Sequence, residues 1–172
     1  MVVDMLVGFV RRGNLASTRY EPLVPRLVER LAAAEREGAD FVFLVDTHAQ
    51  GDPEFAMFPE HCVEGSGEDA VIPELEGFAG RHTVVRKSTF SGFHGTELEK
   101  VLARLRPEVV EVAGVCTDIC VLHTVAGLRA RGYDVVVRAD LVDTYDAPGH
   151  DAEEFNRFAL AHVRDVLGAR VE

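Results

Sequence analysis

Val109 to Thr124, VVEVAGVCTDICVLHT, runs from a β-branched apolar stretch through Gly114 into a segment that reads as a helix from Asp118 to Arg131. A strand that feeds straight into a helix is the repeating unit of a parallel sheet covered on both faces. The same junction sets Cys120 near the helix start, where unpaired N–H groups and aligned peptide dipoles favour negative charge. A thiol there is expected to ionise below its ordinary value and to act as a nucleophile. The neighbouring N–H groups are placed to receive an oxyanion.

Outward from this junction, short β-type runs recur at Val2–Val3, Asp40–Asp46, Thr83–Arg86 and Asp134–Ala139. Helical spacing fills most of the gaps. In EPLVPRLVERLAAAERE, Leu23, Leu27 and Leu31 share one face, the prolines Pro22 and Pro25 lie near the start, and Gly38 ends the helix. Further helices are expected over Gly95–Leu105 and Ala147–Leu167. This alternation predicts an α/β fold, a single three-layer α/β/α domain over residues 1–172 with a mainly parallel, Rossmann-like sheet. Only Thr47–Gly67, rich in Gly, Pro, His and acids, is long and without period, and such loops in compact domains are usually functional.

Bulk properties narrow the partners. A formal net charge of -11 argues against nucleic acid and anionic membrane surfaces. No apolar stretch approaches the roughly 20 residues of a membrane span. Three cysteines cannot all pair within one chain, and no targeting segment is evident, so a reducing, cytoplasmic setting is expected.

In open parallel sheets, sites form beyond the carboxyl ends of the strands. Asp4 ends the first run, Asp46 the second, Lys87 follows the third, and Cys116 and Cys120 follow the fourth. Convergence on one crevice is the simplest consequence. Asp4, Lys87 and Cys120 then supply a proton acceptor, a cation and a nucleophile. Asp46 and His48 lie two apart, on one face of an extended chain, with Glu54 and His61 following in the irregular loop. Mixed carboxylate and imidazole donors suit one divalent ion, zinc first, with iron or manganese as alternatives. Cys62 adjoins His61, but adjacent residues in extended chain point apart.

The segment GVCTDICVLHT resembles the nucleophile motif of the isochorismatase-like cysteine hydrolases, and the resemblance covers nearly the whole chain. It implies Cys120 as nucleophile, Asp4 as catalytic carboxylate and Lys87, in VVRKSTFSGF, as the third member. It also implies a non-proline cis peptide between Val115 and Cys116, with the amides of Cys116 and Cys120 as the oxyanion hole. The D-x-H pair together with FPEHC resembles the nicotinamidase (pyrazinamidase) branch, which assigns Asp46, His48, His61 and, less regularly, Glu54 to the metal. Phe9, Phe58 and Phe90 fall where the resemblance puts the aromatic walls of a substrate pocket. MLVGFVRRG departs from the family's usual acidic and asparagine-containing turn after the first strand, and the His48–His61 loop is compact. Hydrolysis of nicotinamide to nicotinate and ammonia in NAD salvage is the implied reaction, by a homo-oligomer. Related amidases acting on other carboxamide, carbamoyl or ureido groups share the triad. A non-catalytic metal or thiol-redox module leaves Asp4 and Lys87 without a task, and C-x-x-x-C is not the redox spacing.

Overall fold

Val2 and Val3, the whole of strand β1, point to opposite sides of a sheet and belong to two separate hydrophobic cores. The computed structural model describes Met1–Glu172. The same division holds in β2 (Val42–Asp46), where Phe43 and Val45 enter one core and Val42 and Leu44 the other. In β4 (Val110–Val115), Ala113 and Val115 are separated from Val110 and Val112 in the same way. A period of two with both faces apolar is what a buried parallel strand requires.

With β3 (Thr83–Lys87), β5 (Val135–Asp143) and β6 (Arg170–Val171), these strands form one sheet in the order β3-β2-β1-β4-β5-β6. Every neighbouring pair is parallel. The first core is closed by α1 (Val7–Val10), α2 (Leu23–Arg36) and α3 (Pro73–Ala79). The second is closed by α4 (Leu98–Leu105), α5 (Leu122–Ala130) and α6 (Ala152–Asp165). Three layers result, as the alternation of elements predicts. Each fully buried Leu of these helix faces, such as Leu27 or Leu128, contributes about 1.5–3 kcal/mol of burial. No helix is long and apolar enough to cross a membrane.

Strand order reverses between β1 and β4, which opens a crevice beyond their carboxyl ends. Gly114 allows that close approach. Its φ is +116°, and a Cβ there would stand 2.0 Å from the Val3 carbonyl oxygen. The β4–β5 register slips at the same place.

Several boundaries differ from the sequence expectation. The strand expected over Asp134–Ala139 continues to Asp143. The helix expected from Ala147 begins at Ala152, because Ala147 and His150 exchange backbone bonds in a tight turn and Asp151 caps the helix through the Glu154 amide. Lys87 is the last residue of β3 rather than the one after it. The first turn of the Asp118–Arg131 segment is π-helical over Thr117–Val121, with α5 following.

Candidate active site

Four consecutive strand ends deliver their polar side chains to the crevice, and all are buried. Asp4 is 1% exposed, Asp46 2% and Lys87 3%. Asp4 adopts φ +50° just after β1, donates its amide to Leu44 O at 3.0 Å, and accepts the Asp46 amide on Oδ1 at 3.0 Å. Lys87 Nζ lies 2.8 Å from Asp4 Oδ2, 3.0 Å from Asp46 Oδ1 and 3.6 Å from Cys120 Sγ. Burial pushes the Asp4 carboxyl up to about 6 despite the attraction of Lys87. For Lys87, burial works against the charge, but Asp4, Cys120 and Asp46 outweigh it and hold the ammonium well above its ordinary value.

Cys120 occupies the π-helical turn that follows β4. The Cys116 carbonyl accepts the amides of Ile119 at 3.2 Å and Val121 at 3.1 Å, so Cys116 is the pivot between strand and turn. The Cys116 amide donates to no backbone or side-chain group. The peptide bond between Val115 and Cys116 is cis. Contrary to the expectation from the helix start, the Cys120 thiol is raised well above its ordinary value: burial dominates, and Lys87 offsets it only in part. Asp4, the carboxylate able to take the thiol proton, belongs to the same buried cluster around Lys87.

On the other side of Lys87, Asp46 Oδ2 lies 3.1 Å from His48 Nε2 and 3.2 Å from His61 Nε2. Though burial opposes it, Lys87 and the two imidazoles hold the Asp46 carboxyl well below the usual range. The donor atoms of Asp46, His48 and His61 all lie within 4.8 Å of one another. Their orientation suits a cation. His61 Nδ1 donates to Pro59 O at 2.8 Å, and His48 Nδ1 faces Asp52 Oδ2 at 3.3 Å, so each ring turns Nε2 towards Asp46. A partner such as Pro59 O is of the kind that fixes the tautomer of a metal-bound imidazole. Glu54 Oε1 stands 4.0 Å from both Nε2 atoms, at the edge of this set. Burial, together with the Asp46 charge, raises its carboxyl. Cys62 adopts φ +45° and turns Sγ towards Glu68 O at 3.7 Å, outside the cluster.

Asp46, Glu54, His61, Cys116 and Cys120 line a cavity of about 440 Å³, whereas Asp4, Lys87 and His48 are not among its lining residues. Phe9, Phe58 and Phe90 all line it. The Phe9 ring lies 5.7 Å from His61, and Phe58 meets Phe90 edge-on at 5.9 Å. A hollow of about 470 Å³ at the amino ends of the strands is lined by residues such as Leu27, Phe41 and Leu102 and contains neither cysteine nor histidine. Three contributors escaped the sequence reading: Asp52 behind His48, Phe55 packed 5.2 Å from His48, and Tyr20 in the cavity wall. Asp52 alone carried a signal, lying four residues beyond His48 in the acidic loop.

Residues 1–167 match the isochorismatase domain. An isochorismatase family protein of Bacillus subtilis, PncA, is 34% identical over 98% of this chain and 95% of its own length. Nicotinamidase 1 of Arabidopsis thaliana is 30% identical over 97% of this chain and 77% of its own. Among solved structures, the pyrazinamidase/nicotinamidase of Streptococcus mutans UA159 superposes with a TM-score of 0.89 at 28% identity, covering 99% of this chain and 98% of that one. The family match spans nearly the whole sequence and the fold superposes over its full length, and the chain belongs to the isochorismatase family of hydrolases.

Proposed function

We propose that the protein hydrolyses nicotinamide to nicotinate and ammonia through a thioester on Cys120. The observation that carries this reading is the position of Lys87, whose single ammonium reaches the thiol, its carboxylate partner Asp4 and the metal-cluster carboxylate Asp46. A divalent ion held by Asp46, His48 and His61, with Glu54 beside them, would supply Lewis-acid polarisation and an anchor for a pyridine nitrogen. Zinc suits that donor set, as do iron and manganese.

Asp4 accepts the Cys120 proton, and Lys87 stabilises the thiolate as it forms. Sulfur attacks the carboxamide carbon, and the oxyanion meets the amides of Cys116 and Cys120. Each such donor is worth about 3–4 kcal/mol in the transition state. Asp4 returns its proton to the nitrogen, ammonia leaves, and a thioester remains. A water molecule, deprotonated by Asp4, then attacks the thioester carbon; the bond to sulfur breaks, nicotinate is released, and the Asp4 proton returns to the Cys120 sulfur. Phe9, Phe58 and Phe90 offer apolar faces to a flat heteroaromatic ring.

The free thiols of Cys62, Cys116 and Cys120 accord with a reducing, cytoplasmic setting, and the proposed reaction belongs to NAD salvage. Assembly as a homo-oligomer is part of the same reading and is checked by mass in solution. Rates on nicotinamide, pyrazinamide, an N-carbamoyl amino acid and a ureido compound test the substrate. The two heteroaromatic amides are expected to lead by at least tenfold; preference for a ureido or carbamoyl compound would replace nicotinamide as the substrate while keeping the triad.

A further inference from the structure

Tyr20 closes the short turn Thr18–Tyr20, is 0% exposed, and packs in the same core as Cys116. Its hydroxyl has one partner, the Cys116 sulfur at 3.3 Å. A buried hydroxyl costs free energy unless it is bonded, and phenylalanine would fill the same apolar space without that cost. With one sulfur partner the hydroxyl does little more than offset that cost, so stability alone does not give the reason for the oxygen. Cys116 does. Its carbonyl anchors the turn that carries Cys120 through Ile119 and Val121, and its own amide is free to face the cavity. Its side chain is the remaining point by which that peptide can be held.

We propose that Tyr20 is a positioning residue for the oxyanion hole, its hydroxyl gripping the Cys116 thiol so that the Cys116 amide keeps the orientation the developing oxyanion needs. The inference rests on the thioester reading above. Tyr20 is itself fixed from the preceding residue. Arg19 donates to Thr144 O at 3.1 Å, Asp143 at 3.1 Å, Asp146 at 3.3 Å and Glu153 at 2.8 Å. This ties the turn to the loop after β5, whose Tyr145 and Asp146 form another wall of the cavity. The grip on Cys116 thus comes from outside the Asp4–Lys87–Cys120 cluster.

The test compares Tyr20→Phe, Cys116→Ala, Cys116→Ser and the double variant Tyr20→Phe/Cys116→Ala with wild type, all metal-loaded and on nicotinamide. Tyr20→Phe and Cys116→Ala should each lower kcat about tenfold, the scale of one net hydrogen bond, with KM within about twofold. The double variant should be no slower than either single one, because both remove the same bond. Cys116→Ser keeps a partner for the hydroxyl and should recover most of the loss. Alkylation of Cys120 by iodoacetamide, read by peptide mass, builds no oxyanion and should keep its wild-type rate in Tyr20→Phe. An undiminished kcat in Tyr20→Phe would overturn the proposal. So would a parallel loss of alkylation, or a double variant as slow as the product of the singles. Wild type inert on nicotinamide would instead sink the substrate assignment. The same variants would then be compared on whichever carboxamide or ureido compound wild type hydrolyses, and if it hydrolyses none, both proposals fall.

Discussion

Lys87 Nζ lies 3.0 Å from Asp46 Oδ1, while the other oxygen of that carboxylate faces His48 and His61. The cation of the proposed triad and the candidate metal cluster therefore share one buried anion. Removing Lys87 should harm both. Lys87→Met leaves Asp4 and Asp46 facing each other with no cation between them, and breaking a buried pair in this way costs about 3–5 kcal/mol. The variant is expected to be inactive and to melt well below wild type, as read by thermal unfolding.

The cluster geometry ranks its four candidate ligands. His61→Ala removes a nitrogen 3.2 Å from Asp46 and should strip the metal during purification, abolishing turnover. Glu54→Gln changes a group 4.0 Å from either imidazole nitrogen and should weaken retention by less than about tenfold, the lower end for partners outside the ligand set. Metal content by elemental analysis, with activity after chelation and after return of zinc, iron or manganese, checks this order. Metal loss in Glu54→Gln equal to that in His61→Ala would make Glu54 a direct ligand.

At Gly114, a methyl group would meet the Val3 carbonyl oxygen at 2.0 Å, in a backbone conformation that L side chains rarely adopt. Both faults lie in backbone, which no rotamer can relieve. Gly114→Ala should cost about 3 kcal/mol or more, seen as a lowered denaturation midpoint or as failure to fold.

Phe90 meets Phe58 edge-on, and both rings line the cavity, so the proposed function gives them substrate to hold rather than a part in the chemistry. Phe90→Ala should therefore raise KM on nicotinamide about tenfold, the scale of one lost apolar wall, with a much smaller change in kcat. A fall in kcat at constant KM would place the ring in the chemistry instead.

The sequence was most legible where one residue does one thing at the end of a strand. Asp4, Asp46, Lys87 and Cys120 could be placed from chain order alone, since parallel strands bring their carboxyl ends to one side whatever the loops do. The three pocket phenylalanines came from resemblance and do line the cavity. Pro73–Ala79 was not read as α3 because seven residues hold too few turns for an apolar period to stand out. The start of α6 was placed too early because Ala147–His150 adjoins a helical pattern while bonding only to itself. The ionisation of Cys120 is hidden from sequence for a different reason. A turn's dipole is visible in sequence, whereas the burial that outweighs it is a property of the assembled core. Tyr20 reaches the site only through space, 96 residues from Cys116.

The proposed chemistry turns on Cys120 as the nucleophile of a metal-loaded amidase. Ammonia release from nicotinamide, followed for wild type and Cys120→Ala with equal metal content and equal melting temperature, tests it most directly. Steady turnover by wild type and none above background by Cys120→Ala is the predicted result; turnover by Cys120→Ala at a rate near wild type would contradict it.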